Sequence, residues 1–218
     1  MDVTTLCLAL GLVGASPSLS PLPEDRVEFA CQQMETLVTE AEAEGFDPTV
    51  IAGLIYVESR WSPTAVSRSG ACGLTQVIPR YVDESCTELK DPKTSIQVGV
   101  ASLKKWTTKR VKRNGRLVRV PRSGGLREAL ACYNAGNACL KSSRGAAYAS
   151  AVLRHAKRLS RAYDQIDARE DSDGLQNLGY APADGDAPRI IHNDWAEPAE
   201  FYFPAWVPSW VNTRIVTL

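Results

Sequence analysis

Glu58 is the residue of the sequence best placed for acid–base chemistry. It shares one face of a predicted helix with three apolar residues at helical spacing, Ile51, Leu54 and Ile55. Desolvation and the helix dipole both disfavour a carboxylate at the C-terminal end of an apolar helix, so both raise its pKa. A carboxyl group that keeps its proton near neutral pH can act as a general acid in glycoside cleavage. The alternative is an ordinary carboxylate at the helix edge, paired with Arg60 or Arg68.

Two further segments contain polar side chains suited to a sugar ligand. The first, SRSGACGLTQVIP at residues 67–79, offers the hydroxyl of Ser67, the small Gly73 and the amide of Gln76. The second places Tyr133 and Asn134, a hydroxyl and an amide, at the end of a predicted helix. Each segment alone has a plainer interpretation, which is a glycine-rich turn for the first and a buried aromatic before a helix stop for the second.

The elements that must position these residues are mostly helical. Apolar spacing predicts an amphipathic helix over 23–45, and Asp-Pro pairs at 47–48 and 91–92 predict the starts of two more. Helical patterns also occupy 126–135 and 147–168. The alternating sequence VKRNGRLVRVP, centred on Asn-Gly, predicts a β-hairpin within 107–122. We therefore expect a mainly α domain over 23–168 with one short hairpin.

The composition is that of a globular protein and excludes several other classes. The chain has 218 residues, of which 44% are hydrophobic and 23% charged. No apolar run reaches about 18 residues, so no membrane-spanning helix is expected. The two histidines, His155 and His192, are far apart in sequence, so a multi-histidine metal site is not expected either. We expect no cofactor.

The six cysteines contain no CxxC pair, which argues against a zinc ribbon or a redox motif. Cys72 and Cys86 are close in sequence, as are Cys132 and Cys139. These two pairs predict two local disulfides and an oxidising compartment. The alternative is that each cysteine is a small buried apolar residue.

Both ends of the chain differ from its middle. Residues 1–22 contain an apolar stretch, LCLALGLVGA, and a Pro/Ser-rich linker, and are either a cleaved secretion signal or a retained anchor or docking helix. Residues 169–218 are first acidic and then aromatic, so we expect an irregular extension that packs on the core or meets a protein partner. Residues 101–160 carry 15 basic side chains and one acidic. This asymmetry favours an anionic partner or pairing with the acidic tail.

Four ordered blocks of the sequence resemble the soluble (Slt-type) lytic transglycosylases of bacteria, which have a lysozyme-like, mostly α fold. ESRWSPTAVSRSGACGLTQVIP is similar to their first block, E-S-x-x-x-P-x-A-x-S-x-x-G-A-x-G-L-M-Q-x-x-P. DPKTSIQVGVASLKKW and ALACYNAG resemble the second and third blocks, and YASAVLRHAKRL resembles the closing helix. The resemblance covers about residues 48–160. Thr75 stands where the family usually has Met.

This resemblance implies a reaction and a set of site residues. Glu58 is implied to be the single catalytic glutamate, and six residues to line the substrate cleft: Ser67, Gly73, Gln76, Tyr133, Asn134 and Tyr148. The implied reaction cleaves the β-1,4 bond between N-acetylmuramic acid and N-acetylglucosamine in peptidoglycan and leaves a 1,6-anhydro-muramic end. One carboxylate suffices because the nucleophile belongs to the substrate itself.

Two alternatives to this activity stay open. One is a hydrolytic lysozyme, which would use a second carboxylate, for which Asp83, Glu84 and Glu88 are the candidates. The other is a structural component of a virion or secretion assembly, whose lysozyme-like domain binds glycan without cleaving it.

The implied partner, peptidoglycan, places the chain outside the cytoplasm. We expect it in the periplasm or cell wall, either secreted or carried in a phage virion. The basic segment suits an anionic cell wall, and its few interleaved aromatics argue against sequence-specific nucleic-acid binding. Membrane contact is expected only through residues 1–22, if these are retained, and an assembly partner through the aromatic tail.

Overall fold

The computed structural model describes residues 1–14 and 21–177, with side chains described up to 169. The chain divides into two units, Met1–Glu170 and Asp171–Leu218. The backbone of 171–177 is helical. The rest of the acidic and aromatic tail, whose packing was predicted, lies outside the described residues. No helix among the described residues is long and apolar enough to cross a membrane.

The described residues are mainly helical, with one two-stranded sheet. The elements in chain order are α1 (Val3–Gly14), α2 (Glu24–Gln32), α3 (Met34–Ala43), α4 (Pro48–Ser59), α5 (Pro92–Trp106), β1 (Thr108–Arg113), β2 (Arg116–Pro121), α6 (Gly125–Ala135) and α7 (Ser143–Asn177). The predicted mainly α fold with a short hairpin is confirmed. The last helix runs on to Asn177, beyond the predicted end at 168.

Local sequence signals mark the helix starts correctly. The Asp47 carboxylate accepts a hydrogen bond from the Thr49 backbone N–H at 2.8 Å, and Asp91 caps α5 in the same way through Thr94 at 2.9 Å. Proline follows each aspartate at the first helical position. The prediction of a single helix over 23–45 was wrong, because two helices occupy this stretch. The chain turns at Gln33 (φ −96°, ψ −4°), which separates α2 from α3.

The hairpin forms where the Asn-Gly pair predicted it. Asn114 and Gly115 both have positive φ, 48° and 78°, as a two-residue turn of type I′ requires. The strands pair in antiparallel register from Thr108↔Pro121 at the base to Arg113↔Arg116 at the turn.

The N-terminal helix packs on the domain. Helix α1 contacts α2 and α3, and its residues Leu6, Ala9 and Leu10 are buried. A disulfide joins Cys7 of α1 to Cys31 of α2. This pair, 24 residues apart in sequence, was not among the predicted disulfides. The two predicted local disulfides, Cys72–Cys86 and Cys132–Cys139, are also present.

Helices α4 and α7 approach each other closely at Gly53. A methyl group at this position would lie 2.8 Å from the Val152 carbonyl oxygen and 3.1 Å from the Ala156 nitrogen. Only the absence of a side chain lets the two backbones come so near. Five residues after Gly53, α4 presents Glu58, and four residues before Val152, α7 presents Tyr148. The close crossing therefore sets how near these two side chains can be.

The crossing can be tested with a pair of glycine substitutions. Gly53→Ala should lower the free energy of unfolding by about 2 kcal/mol, because the added methyl forces α4 and α7 apart. Gly11→Ala is the matched control, since its methyl would meet only a Val27 carbon, at 3.9 Å. Helix propensity should make that variant up to about 1 kcal/mol more stable. Urea unfolding measures both. Equal effects at the two positions would contradict the close crossing.

Candidate active site

Glu58 lies in the last turn of α4 and is only partly accessible to solvent. Loss of hydration raises the pKa of its carboxyl group to about 7, against an ordinary value of 4.5. The Tyr148 hydroxyl and the positive charge of Arg144 act in the opposite direction but do not cancel the burial. The cation that acts on Glu58 is thus Arg144, on α7, rather than Arg60 or Arg68. At neutral pH this carboxyl group can both hold and release a proton.

Two tyrosines stand beside Glu58, and both are buried deeply enough to raise their own pKa above the usual range. The Glu58 charge adds to the effect on each. The Tyr133 hydroxyl donates to the Thr75 carbonyl at 2.8 Å. The Tyr148 hydroxyl, by contrast, has no hydrogen-bond partner within 3.5 Å among the described residues. A longer hydrogen-bonding interaction with the Glu58 carboxyl group lowers the pKa of Glu58 and helps to raise that of Tyr148.

The glycine-rich segment folds back on itself in a tight loop. The backbone of Cys72 forms isolated antiparallel β-bridges with Val66 and Val77. The Ser67 hydroxyl accepts a hydrogen bond from the Ala71 N–H at 3.0 Å. The Gln76 side-chain amide donates to the Ala65 and Gly73 carbonyls, at 3.1 and 2.9 Å. Its amide group therefore holds the loop. Contact of Ser67 and Gln76 with a substrate stays a prediction.

Gly73 has a packing reason to be glycine. Its φ is 77°, and a methyl group there would collide with the Leu89 carbonyl in the short 3-10 helix Glu88–Lys90. This accounts for the residue without a ligand. Its expected place at the substrate stays a prediction.

Thr75 connects this loop to two helices. Its hydroxyl donates to the Ser95 carbonyl of α5 at 2.8 Å, and its carbonyl accepts from Tyr133 of α6. Thr75 and Ser95 are both fully buried. A threonine can therefore replace the methionine usual in the family because Ser95 satisfies its hydroxyl. The sequence analysis did not identify Ser95, whose partner lies 20 positions away.

Asn134 follows Tyr133 near the end of α6. Its side-chain oxygen is buried and has no hydrogen-bond partner among the described residues. A buried acceptor without a partner is costly in a folded protein, and a water molecule or a ligand can supply the missing donor. The Cys132–Cys139 disulfide encloses this segment and limits its motion. Binding of a ligand by Asn134 stays a prediction.

The turn that follows Glu58 is held by residues near the N-terminus. Arg60 and Trp61 adopt left-handed backbone conformations in succession, with φ of 51° and 60°, which is unusual for side chains of this size. The Arg26 guanidinium of α2 donates to the Trp61 carbonyl at 3.0 Å, and Arg60 donates to the Pro21 carbonyl at 2.6 Å. These bonds stabilise the strained turn. No sequence signal linked Arg26 to it.

The acidic residues considered as second carboxylates do not act on Glu58. Asp83 and Glu88 are exposed, and the Glu88 carboxylate accepts hydrogen bonds from the backbone N–H and hydroxyl of Ser85, at 2.8 and 2.7 Å. No carboxylate contributes to the shifted pKa of Glu58. Among the described residues, no group of three or more His, Cys, Asp and Glu side chains could hold a metal ion.

The transglycosylase SLT domain family model matches residues 35–155, more than half of the chain. The chain belongs to this family. The match confirms the transglycosylase family that the sequence resembles, and all seven predicted site residues, from Glu58 to Tyr148, lie inside it. Helices α1 and α2, including Arg26, lie before it.

Individual relatives match shorter stretches. The endo-type membrane-bound lytic murein transglycosylase A of Klebsiella pneumoniae subsp. pneumoniae is 38% identical over 93 residues, 37% of this chain and 46% of the relative. The membrane-bound lytic murein transglycosylase F of Alcanivorax borkumensis is 33% identical over 112 residues, 50% of this chain and 23% of the relative. The chain thus spans less than half the length of these curated relatives.

A solved structure of an inactive mutant of the lytic transglycosylase Slt from Pseudomonas aeruginosa is similar with a TM-score of 0.46 and 22% identity. The similarity covers 62% of this chain and 25% of that one.

The burial of Glu58 predicts a pH-dependent effect of Glu58→Gln on stability. A carboxyl group whose pKa rises from 4.5 to about 7 on folding stabilises the folded state below pH 4.5 and loses that contribution as the pH rises through 7. Glutamine mimics the protonated form at every pH. Relative to the wild type, the free energy of unfolding of the variant should therefore increase by roughly 3 kcal/mol when the pH is raised from 4.5 to 8.

Thermal or urea unfolding at the two pH values measures this gain. Glu88→Gln is a control of opposite sign, because hydrogen bonds from Ser85 lower the pKa of Glu88 and its carboxylate stabilises the protein at pH 8. A Glu58→Gln effect that is the same at pH 4.5 and pH 8 would show that the carboxyl group is hydrated after all.

Proposed function

We propose that the chain is a peptidoglycan lytic transglycosylase, with Glu58 as its acid and then its base. One observation carries the proposal, namely that a single desolvated carboxyl group lies close to Tyr133 and Tyr148 with no second carboxylate acting on it. Family membership and the names of the relatives support the same reaction. The substrate is the β-1,4 bond between N-acetylmuramic acid and N-acetylglucosamine.

In the first step Glu58 protonates the glycosidic oxygen as the bond breaks. Its pKa of about 7 means that a large fraction of the molecules carry the proton at neutral pH. The sugar's own 2-acetamido oxygen stabilises the positive charge that develops at the anomeric carbon, as in substrate-assisted glycosidases. We expect Tyr148, which interacts with Glu58 and has no hydrogen bond within 3.5 Å among the described residues, to contact the substrate beside Glu58.

In the second step Glu58, now ionised, takes the proton of the C6 hydroxyl of the same sugar. The C6 oxygen attacks the anomeric carbon and closes the 1,6-anhydro ring. Because the nucleophile is part of the bound substrate, most of its positional entropy is lost before the step begins. No water needs to be activated, so no second carboxylate is required.

Three disulfides and the relatives described as membrane-bound support a location outside the cytoplasm. Both settings expected from the sequence, secretion and carriage in a phage virion, bring the domain to the cell wall from an oxidising or extracellular environment.

Mass spectrometry of the products released from purified sacculi tests the proposal. Wild-type protein should release muropeptides with 1,6-anhydro-muramic ends. Glu58→Gln should lower the rate at least about 100-fold, because the proposed acid–base group is lost. Asp83→Asn and Glu84→Gln are matched controls that also remove one acidic group each, and both should cleave at the wild-type rate.

The product chemistry separates the alternatives. Reducing-end products whose formation stops in Asp83→Asn or Glu84→Gln would identify a hydrolytic lysozyme and contradict the proposal. Sacculi that bind the folded protein without any cleavage would identify a glycan-binding structural module.

A further inference from the structure

The hairpin β1–β2 is strongly basic, and the proposed reaction does not use it. No acidic residue occurs between Asp91 and Glu128, and six of the fourteen hairpin residues are basic. Nearly all of its side chains are exposed or only partly buried on both faces. It contacts the rest of its unit mainly through α5. Strands of six residues extend about 20 Å, so the turn lies well beyond the base.

The basic side chains of the hairpin face each other without compensation. Arg110 pairs directly with Arg119 and Arg113 with Arg116 across the strands. Like charges at opposite positions repel, which disfavours this hairpin in isolation. None of the six basic side chains of the hairpin forms a salt bridge with another described residue. The charge of Lys109 does help to lower the pKa of Glu128. An anionic surface that accepts several arginines at once would relieve this repulsion.

The tip combines these charges with exposed apolar side chains. Leu117 is 70% exposed and Val118 is 36% exposed, and both lie within three residues of the Asn114-Gly115 turn. Val118 and its cross-strand partner Val111 share one face of the hairpin, and Leu117 lies on the other. Water-soluble polyanions offer nothing for such side chains to pack against. A lipid headgroup layer does, because apolar side chains enter its acyl boundary while arginines extend to the phosphates.

We propose that the tip of this hairpin docks on the surface of an anionic phospholipid bilayer. Arg113 and Arg116 bind headgroup phosphates at the turn, and Leu117 and Val118 insert shallowly beside them. Arginine suits this contact because its planar guanidinium forms paired hydrogen bonds with phosphate oxygens. The contact is peripheral and independent of residues 1–22, through which alone the sequence analysis expected a membrane contact. It would hold the domain at a membrane while the cleft works on the adjoining wall.

Co-sedimentation of the full chain with vesicles tests the proposal. Vesicles that contain phosphatidylglycerol should bind the wild type at least tenfold more tightly than pure phosphatidylcholine vesicles. Arg113→Gln/Arg116→Gln and Leu117→Thr/Val118→Thr should each weaken binding fivefold or more. Threonine is β-branched, as strands favour, so both substitutions are compatible with the hairpin. Circular dichroism and the melting temperature check folding of each variant.

Matched controls remove the same groups elsewhere. Lys157→Gln/Arg158→Gln removes two exposed charges from α7, and Leu140→Thr removes a leucine that is 72% exposed. Both should bind within twofold of the wild type.

Three outcomes would overturn the proposal. The first is absence of binding to anionic vesicles, for instance because another part of the chain covers the hairpin. The second is binding that both hairpin variants retain. The third is full binding by Leu117→Thr/Val118→Thr together with equal affinity for soluble polyphosphate, which would make the hairpin a general polyanion site.

Discussion

The carboxyl group of Glu58 lies where little water reaches it, and the arrangement around it follows from that one constraint. Burial raises its pKa to about 7, and Tyr133 and Tyr148 form part of the enclosure. A carboxyl group in this environment exchanges a proton near neutral pH without a metal or a second acid. The price is a less stable fold at high pH, where the buried charge is no longer neutralised by a proton.

Three parts of the chain that are distant in sequence maintain this environment. Helix α7 brings Tyr148 and Arg144 to Glu58 because Gly53 allows close contact with α4. Helix α6 brings Tyr133, and the bonds of Thr75 to Tyr133 and Ser95 tie the glycine-rich loop to α6 and α5. Helix α2 holds the strained turn after Glu58 through Arg26. The last support comes from outside the family match, so this chain stabilises the end of α4 with residues of its own N-terminal region.

Local signals explain why much of this could be predicted from the sequence. The capping aspartates, Asp47 and Asp91, and the Asn-Gly turn act on their immediate neighbours, so their effect is readable from adjacent residues. The position of Glu58 followed from helical spacing. The Cys7–Cys31 disulfide, the bond from Arg26 to Trp61 and the influence of Arg144 could not be predicted, because each joins residues that only the tertiary fold brings together. Gly53 was visible as a glycine inside a helix, but nothing in the sequence identified its neighbour on α7.

A direct titration of Glu58 tests the central claim most sharply. In protein labelled with ¹³C at the glutamate side-chain carboxyl, each resonance shifts as its group loses a proton. The account predicts one resonance with a midpoint near pH 7, and predicts that this resonance is missing from Glu58→Gln. A Glu58 resonance that titrates near 4.5, like an ordinary exposed glutamate, would contradict the account. The carboxyl group would then be hydrated and ionised at neutral pH, and could not serve as the acid.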